Sequence, residues 1–196
     1  MNKTPFIALS LFASTLLTIS STLVFAQATP AATPAKPAVG TPMPPAQVYN
    51  KLLSIMEQQF VSAAEAMPED KYNFAPTQGE FKGVRTFSQQ VKHVIEANYV
   101  FFSGPDFNEA QDKALADATE KLTTKADIVK ALKDSFAKAH AFVDTITTEN
   151  AFVQTAHGTR AGMAAFGIAH VMDHNGQLVV YLRMNGIVPP ASRGAM

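Results

Sequence analysis

Along the chain, apolar residues return every three or four positions in four separate stretches, the spacing of helices with one buried face. Val48, Leu52, Ile55, Met56, Phe60 and Ala63 form the first series, which opens behind Pro44-Pro45 and closes before Pro68. Thr86 followed by Gln89 has the form of a capping box. Phe87, Val91, Val94, Asn98 and Phe102 then run down one face as far as Ser103-Gly104-Pro105. A third series starts at Thr124, with Asp127 three residues on, and carries Ile128, Leu132, Phe136, Ala139, Val143 and Ile146. The fourth begins near Thr159 and runs to Asn185, where Asn185-Gly186 and Pro189-Pro190 end it. Its segment "LVVYL" has strand propensity, but the apolar spacing continues unbroken through it and predicts helix.

Two connections matter. "MPEDKYNFAPTQGEFKGVR" between the first two helices is long and rich in turn formers, and it is a candidate crossover. The stretch between the second and third helices reads as polar loop. Four long amphipathic helices without a convincing strand predict an all-α fold, a four-helix bundle.

Before residue 46 the pattern is different. Lys3 precedes the short apolar run "PFIALSLFASTLLTIS", and "LVFAQA" offers small residues for cleavage after Ala26 or Ala28, the three-part layout of a signal peptide over residues 1–26. The run is short for a spanning helix and has no strong basic stop, so no stable membrane insertion is expected after cleavage. Residues 27–45 hold six of the chain's 12 prolines, with Ala and Thr between them, and read as an extended spacer. The folded domain is expected over 46–192, with a short tail at 193–196. A cleavable signal predicts a secreted or periplasmic protein.

Composition narrows the chemistry. Of 196 residues, 47% are hydrophobic and 16% charged, enough for one compact domain with a real core. Lys+Arg and Asp+Glu both number 16, so nothing in the charge balance argues for nucleic acid, and the expectation is that it is not a partner. Cysteine is absent, which leaves nitrogen and oxygen as the only ligands for a metal.

Five histidines remain to be placed: His93, His140, His157, His170 and His174. On the fourth helix Phe166, His170, His174, Gln177 and Tyr181 share a stripe, and residues four apart project side by side, so both imidazoles can reach one cation. Two inward histidines are costly in a dry core unless their nitrogens find partners. A third ligand must come from elsewhere. His93 lies about 150° from the centre of its helix's main stripe, on a flank with Ala97 and Val100 that is apolar enough to be buried. His140 sits at the edge of the third helix's stripe and reads as solvent-facing. His157, beside Gly158, reads as a loop or capping residue. Physics alone leaves His93 and His140 both open. Glu96, one turn after His93, reads as a surface charge, with ligand and general base as its other roles. "HVMDH" superficially follows the order of an H-x-x-E-H metalloprotease, but Asp173 is shorter than Glu and no protease architecture accompanies it.

These residues resemble a known family. "MPEDKYNFAPTQGEFKGVRTFSQQVKHVIEAN" is similar to the DinB-like pattern of a proline-containing turn, an aromatic-plus-proline connection and a helix bearing H-[IV]-x-E. "HVMDHNGQLVVYLRMNGIVPPAS" resembles its closing motif, H-x-x-x-H-x-G-Q leading into YLR-x-x-G-x-x-PP-x-S. The resemblance spans roughly Ala46 to Ser192, and is to the subgroup that often carries a signal peptide. It implies a DinB-like four-helix bundle with a divalent metal on three histidines, carried over by motif to His93, His170 and His174, and so prefers His93 to His140. Two positions depart from the pattern. Asn175 stands where an aromatic residue is common, which puts the pocket wall in question, and Asp173 stands where many relatives have a second histidine.

Three neutral imidazoles leave open metal positions, as catalytic sites do. Zinc is the first candidate, with nickel, iron and manganese also suited to the ligand type. Such a centre acidifies a water for hydrolysis, or an external thiol. The site chemistry suits a metal-dependent hydrolase and the resemblance implies a thiol transferase as another class, either with a small-molecule substrate and Glu96 as the candidate base. The competing expectation is a non-catalytic metal-binding or interaction module. A homodimer is left open, although no exposed stripe argues for one.

Overall fold

A computed structural model describes residues 36–104, 108–155 and 157–194. The described residues from Thr41 onward form one compact unit. The signal peptide expected at 1–26 and the spacer up to residue 35 lie outside the described residues. From Lys36 to Pro44 the chain is exposed and has no helix or strand.

The described residues form helices α1 (Pro45–Ala66), α2 (Phe87–Phe101), α3 (Glu109–Glu120), α4 (Lys125–Asp144) and α5 (Arg160–Met184). Four of them make the bundle. α1 packs on α4 and α5, and α2 packs on the same two, so α1 and α2 stand diagonally across the core. The connection after α1 is therefore a crossover. It is ordered by its own bonds: the Tyr72 hydroxyl donates to the Ala64 carbonyl (2.8 Å), and the amides of Phe87 and Ser88 donate to the carbonyls of Phe74 and Tyr72 (2.9 and 2.8 Å). Between α4 and α5 the chain makes a two-residue ribbon, β1 (Gln154–Thr155) against antiparallel β2 (Gly158–Thr159). No helix among the described residues is long and apolar enough to cross a membrane.

Local signals in the sequence set the helix ends. Thr86 and Gln89 form the capping box: the Gln89 amide donates to Thr86 Oγ1 (3.2 Å) and the Thr86 amide to Gln89 Oε1 (2.9 Å). Thr86→Ala removes one of these and should lower the unfolding free energy by about 1 kcal/mol, read as a lower midpoint in a urea titration with unchanged slope. Thr124 and Thr159 cap α4 and α5 through the hydroxyl alone, accepting from the amides of Asp127 and Gly162. "LVVYL" is helical, as its spacing requires.

Two features differ from the sequence reading. α3 occupies what reads as a polar loop. Its only buried residue is Thr119, so it has almost no apolar stripe to announce it. Its signals are local: Asn108 accepts from the amides of Ala110 and Gln111 (both 3.1 Å), and Ala, Glu, Lys and Leu dominate its body. Lys92 of α2, itself buried, donates to the Glu120 carbonyl (2.8 Å) and ties down the end of α3. The second difference is on α1. Leu53, Met56, Phe60, Ala63 and Ala64 are buried, whereas Val48, Leu52 and Ile55 are exposed. The apolar arc of α1 is wider than the face the bundle covers, and its neighbours decide which half goes inside.

Candidate metal centre

The centre lies where α2 meets α5. α5 passes close to α2 because Gly167 faces the rings at the end of α2; a Cβ there would stand 2.7 Å from two atoms of the Phe102 ring. One turn on, His170 enters the space between the helices, and His174 follows on the same face. α2 is buried on nearly all sides, because α3 covers what α4 and α5 leave open. His93, far from the main stripe of α2, is therefore not on the outside. It is half-buried beside Ala97, as the flank argument requires.

The three side chains converge. His170 Nε2 is 3.2 Å from His93 Nε2 and 3.2 Å from His174 Nε2, and the three histidines can each present a nitrogen within 4.8 Å of the others. Their rings meet edge to face, with centroids 4.4 to 5.0 Å apart. Two ligand nitrogens at 2.0–2.1 Å from a tetrahedral ion stand about 3.3 Å apart, so the observed spacing suits a shared cation. The donor set fits as well: three imidazoles are a common set for zinc and other late divalent metals. At 3.2 Å one Nε2 of each pair can donate to the other, but His170 Nδ1 is buried with no hydrogen-bond partner. That is a costly arrangement for histidines serving only as core.

Electrostatics keeps the imidazoles neutral. Burial, then the Arg85 guanidinium and the neighbouring histidines, lowers the His93 pKa to about 4. Burial and then His174 bring His170 to about 4 as well. His174 is lowered in the same direction, chiefly by burial. At neutral pH each ring therefore offers a lone pair without first losing a proton.

Behind the cluster, His174 Nδ1 lies 2.8 Å from Oε1 of Gln90, a buried residue of α2. Gln90 Nε2 donates to Gln177 Oε1 (2.5 Å), and Gln177 Nε2 donates to Asp173 Oδ2 (3.0 Å). In front, His93 is shared by two cavities. One, of about 270 Å³, is polar and is lined by Arg85, Gln89, Glu96 and Glu120. The other, of about 440 Å³, lies between α2 and α3; Ala97, Val100, Phe101, Leu115 and Ala116 line it, with His170 at its inner end.

Glu96 lines both cavities without joining the three converging nitrogens. It is half-buried, and burial followed by Glu120 raises its pKa. His140 is elsewhere, partly exposed, with both ring nitrogens engaged. Its Nδ1 is 2.6 Å from Asn50 Oδ1 and its Nε2 3.0 Å from Glu57 Oε2, so it bridges α4 to α1. A long helix edge looks free in sequence and is covered only when another helix lies on it. His157 is exposed in the ribbon turn. Asn175 faces α1, with Nδ2 3.4 Å from Gln59 Oε1, and lines neither cavity at the histidines.

With the site in view, the comparisons are informative. The pattern of the DinB superfamily matches residues 52–178, most of the folded domain. This chain belongs to the DinB superfamily. Among solved structures, the DinB-like protein YjoA of Bacillus subtilis is similar, with a TM-score of 0.54 and 21% identity over 71% of this chain and 92% of that one. So is the colibactin self-resistance protein ClbS, solved in complex with double-stranded DNA: TM-score 0.57 and 14% identity, over 75% of this chain and 98% of that one. At these identities the likeness is one of fold. No curated protein sequence matches the chain significantly.

ClbS also overturns one expectation. Balanced charge is no ground for setting nucleic acid aside as a partner, because a protein of this fold has been crystallised on duplex DNA. Net charge averages over the whole chain, whereas phosphates are met by a few local cations.

Proposed function

We propose that His93, His170 and His174 bind one divalent metal ion, zinc first and nickel, iron or manganese as alternatives, and that the protein is an exported metal-dependent enzyme of the hydrolase or thiol-transferase type. The observation that carries this reading is the convergence of three neutral imidazoles, of which His93 lines two cavities and His170 one. A metal held there supplies Lewis acidity to whatever enters. A non-catalytic metal module would be better served by a sealed trio. Instead His93 lines both cavities and His170 one of them, and both rings are partly exposed. Tyr181 lines neither cavity, and its hydroxyl donates to the Arg85 carbonyl (2.9 Å). The chain's own groups suit a reaction: Arg85 can attract an anionic group on the polar side, the apolar cavity can hold a carbon skeleton, and Glu96, with its raised pKa, can take up a proton.

The test is elemental analysis of purified protein, followed by ester, amide and thiol-plus-electrophile substrates offered to the metal-loaded and the chelator-stripped protein. Turnover that requires metal supports the enzyme. An ion bound without turnover across the panel returns the reading to a binding module.

A second reading, duplex DNA as a partner, draws on the fold shared with ClbS. Lys138 and Arg160 suit it: both line a cavity of about 300 Å³ near the end of α4, and neither has a carboxylate ion pair among the described residues. Fluorescence anisotropy with labelled duplex decides it. Binding that weakens steeply with salt supports DNA, and no binding at low salt removes it.

A further inference from the structure

The chain of bonds behind His174 has a direction, and the direction is set at its far end. An ionised carboxylate has no proton to donate, so Asp173 Oδ2 can only accept, and the group of Gln177 that faces it is the NH2. The carbonyl oxygen of Gln177 must then face Gln90 and accept from Gln90 Nε2. That orientation leaves Gln90 with its own carbonyl oxygen toward the imidazole, where it can accept and cannot donate. His174 therefore carries its proton on Nδ1, and its Nε2 lone pair faces His93 and His170.

We propose that Asp173, Gln177 and Gln90 are positioning residues that hold His174 in its ligand tautomer, an exposed carboxylate acting on a buried imidazole through two side-chain amides. The inference deepens the metal-centre reading and rests on it for its purpose, but the tautomer is a property of the metal-free protein. Burial makes the device necessary. His174 is 6% exposed and Gln90 2%, so no bulk water is at hand to satisfy Nδ1 or to correct a wrong tautomer. The route also joins two helices, since Gln90 is on α2 and the other three residues are on α5. His170 has no such backing: its Nδ1 is unpartnered and the Phe101 ring stands beside it, centroids 5.1 Å apart. Of these two α5 ligands, only His174 is oriented by protein groups behind it. The device also accounts for Asp173 and Gln177 in "HVMDHNGQ".

The experiment uses the full chain labelled with 15N at histidine. In the chelator-stripped protein at neutral pH, the 15N shifts of His174 should show a protonated Nδ1 and a bare Nε2. Gln90→Leu removes the acceptor and leaves a side chain of similar size. In that variant the Nδ1–H signature should be lost or mixed with the other tautomer, and zinc affinity, measured by competition with a chromophoric chelator, should fall about 10–100-fold. Asp173→Asn removes the fixed polarity at the exposed end and should mix the tautomers with circular dichroism unchanged, while Asp173→Glu should restore the wild-type shifts. A protonated Nε2 in the wild-type protein, or shifts unchanged in both Gln90→Leu and Asp173→Asn, overturns the relay. A correct tautomer in a protein that takes up no metal leaves the relay standing and removes the metal-centre reading instead.

Discussion

Protein carrying His93→Ala and His170→Ala together should retain no more divalent metal than the buffer background, where the unaltered chain holds about one ion. Each substitution removes one of three converging nitrogens, and a lone His174 cannot chelate. The loss should exceed the 10–100-fold typical of altering a group behind a ligand, since the ligands themselves are gone. The fold should survive. Both rings are partly exposed and line the existing cavities, so their removal opens those cavities further and leaves no sealed void in the core. Inductively coupled plasma mass spectrometry of both proteins, beside matched circular dichroism spectra, makes the measurement. Equal metal in the two samples would dismiss the assignment of these histidines. His140→Ala is the control: its ring nitrogens are engaged by Asn50 and Glu57, so metal content should not change.

A single methyl group at Gly167 should have the next largest effect. Its Cβ would stand 2.7 Å from Cε2 and Cζ of Phe102 and 3.2 Å from Cβ of Phe101. Phe102 cannot move aside, being 1% exposed and packed edge to face on Phe142. α5 must therefore rise away from α2. Overpacking of this kind costs about 1–3 kcal/mol, so Gly167→Ala should lower the thermal midpoint by several degrees. The same displacement draws His170 away from His93, and zinc affinity should weaken although no ligand is changed. Phe102→Leu in the Gly167→Ala background makes room and should recover part of both losses. A Gly167→Ala protein with wild-type midpoint and affinity would mean that the helices do not need this contact.

Much of the bundle is visible in the sequence because its signals are local or periodic. Thr86, Thr124 and Thr159 mark helix starts through bonds made within one turn. The stripes on α2 and α4 are the faces that become buried. α3 escapes the same reading because periodicity detects burial, and α3 buries almost nothing. The wide arc of α1 misleads for the opposite reason: more apolar surface is present than the neighbouring helices cover. At the site, the i, i+4 spacing of His170 and His174 makes them a pair before any fold is known. The third partner is beyond local reasoning, since His93 is 77 residues from His170 and faces away from the main stripe of its own helix. Motif resemblance chooses it over His140, and the fold brings its Nε2 to 3.2 Å from that of His170.

By itself, then, the sequence determined the helices of the bundle, their capped ends, and a histidine pair on one face of the last helix, because each depends on residues within a few positions of one another. Only the tertiary structure decided what stands beside that pair. The diagonal placement of α1 and α2, and the covering of α2 by α3, bring His93 to His170 and Gln90 to His174. It also decided that Val48, Leu52 and Ile55 face outward and that Asn50 and Glu57 engage His140. Those outcomes depend on how distant segments pack, and packing is a property of surfaces that meet only once the chain has folded.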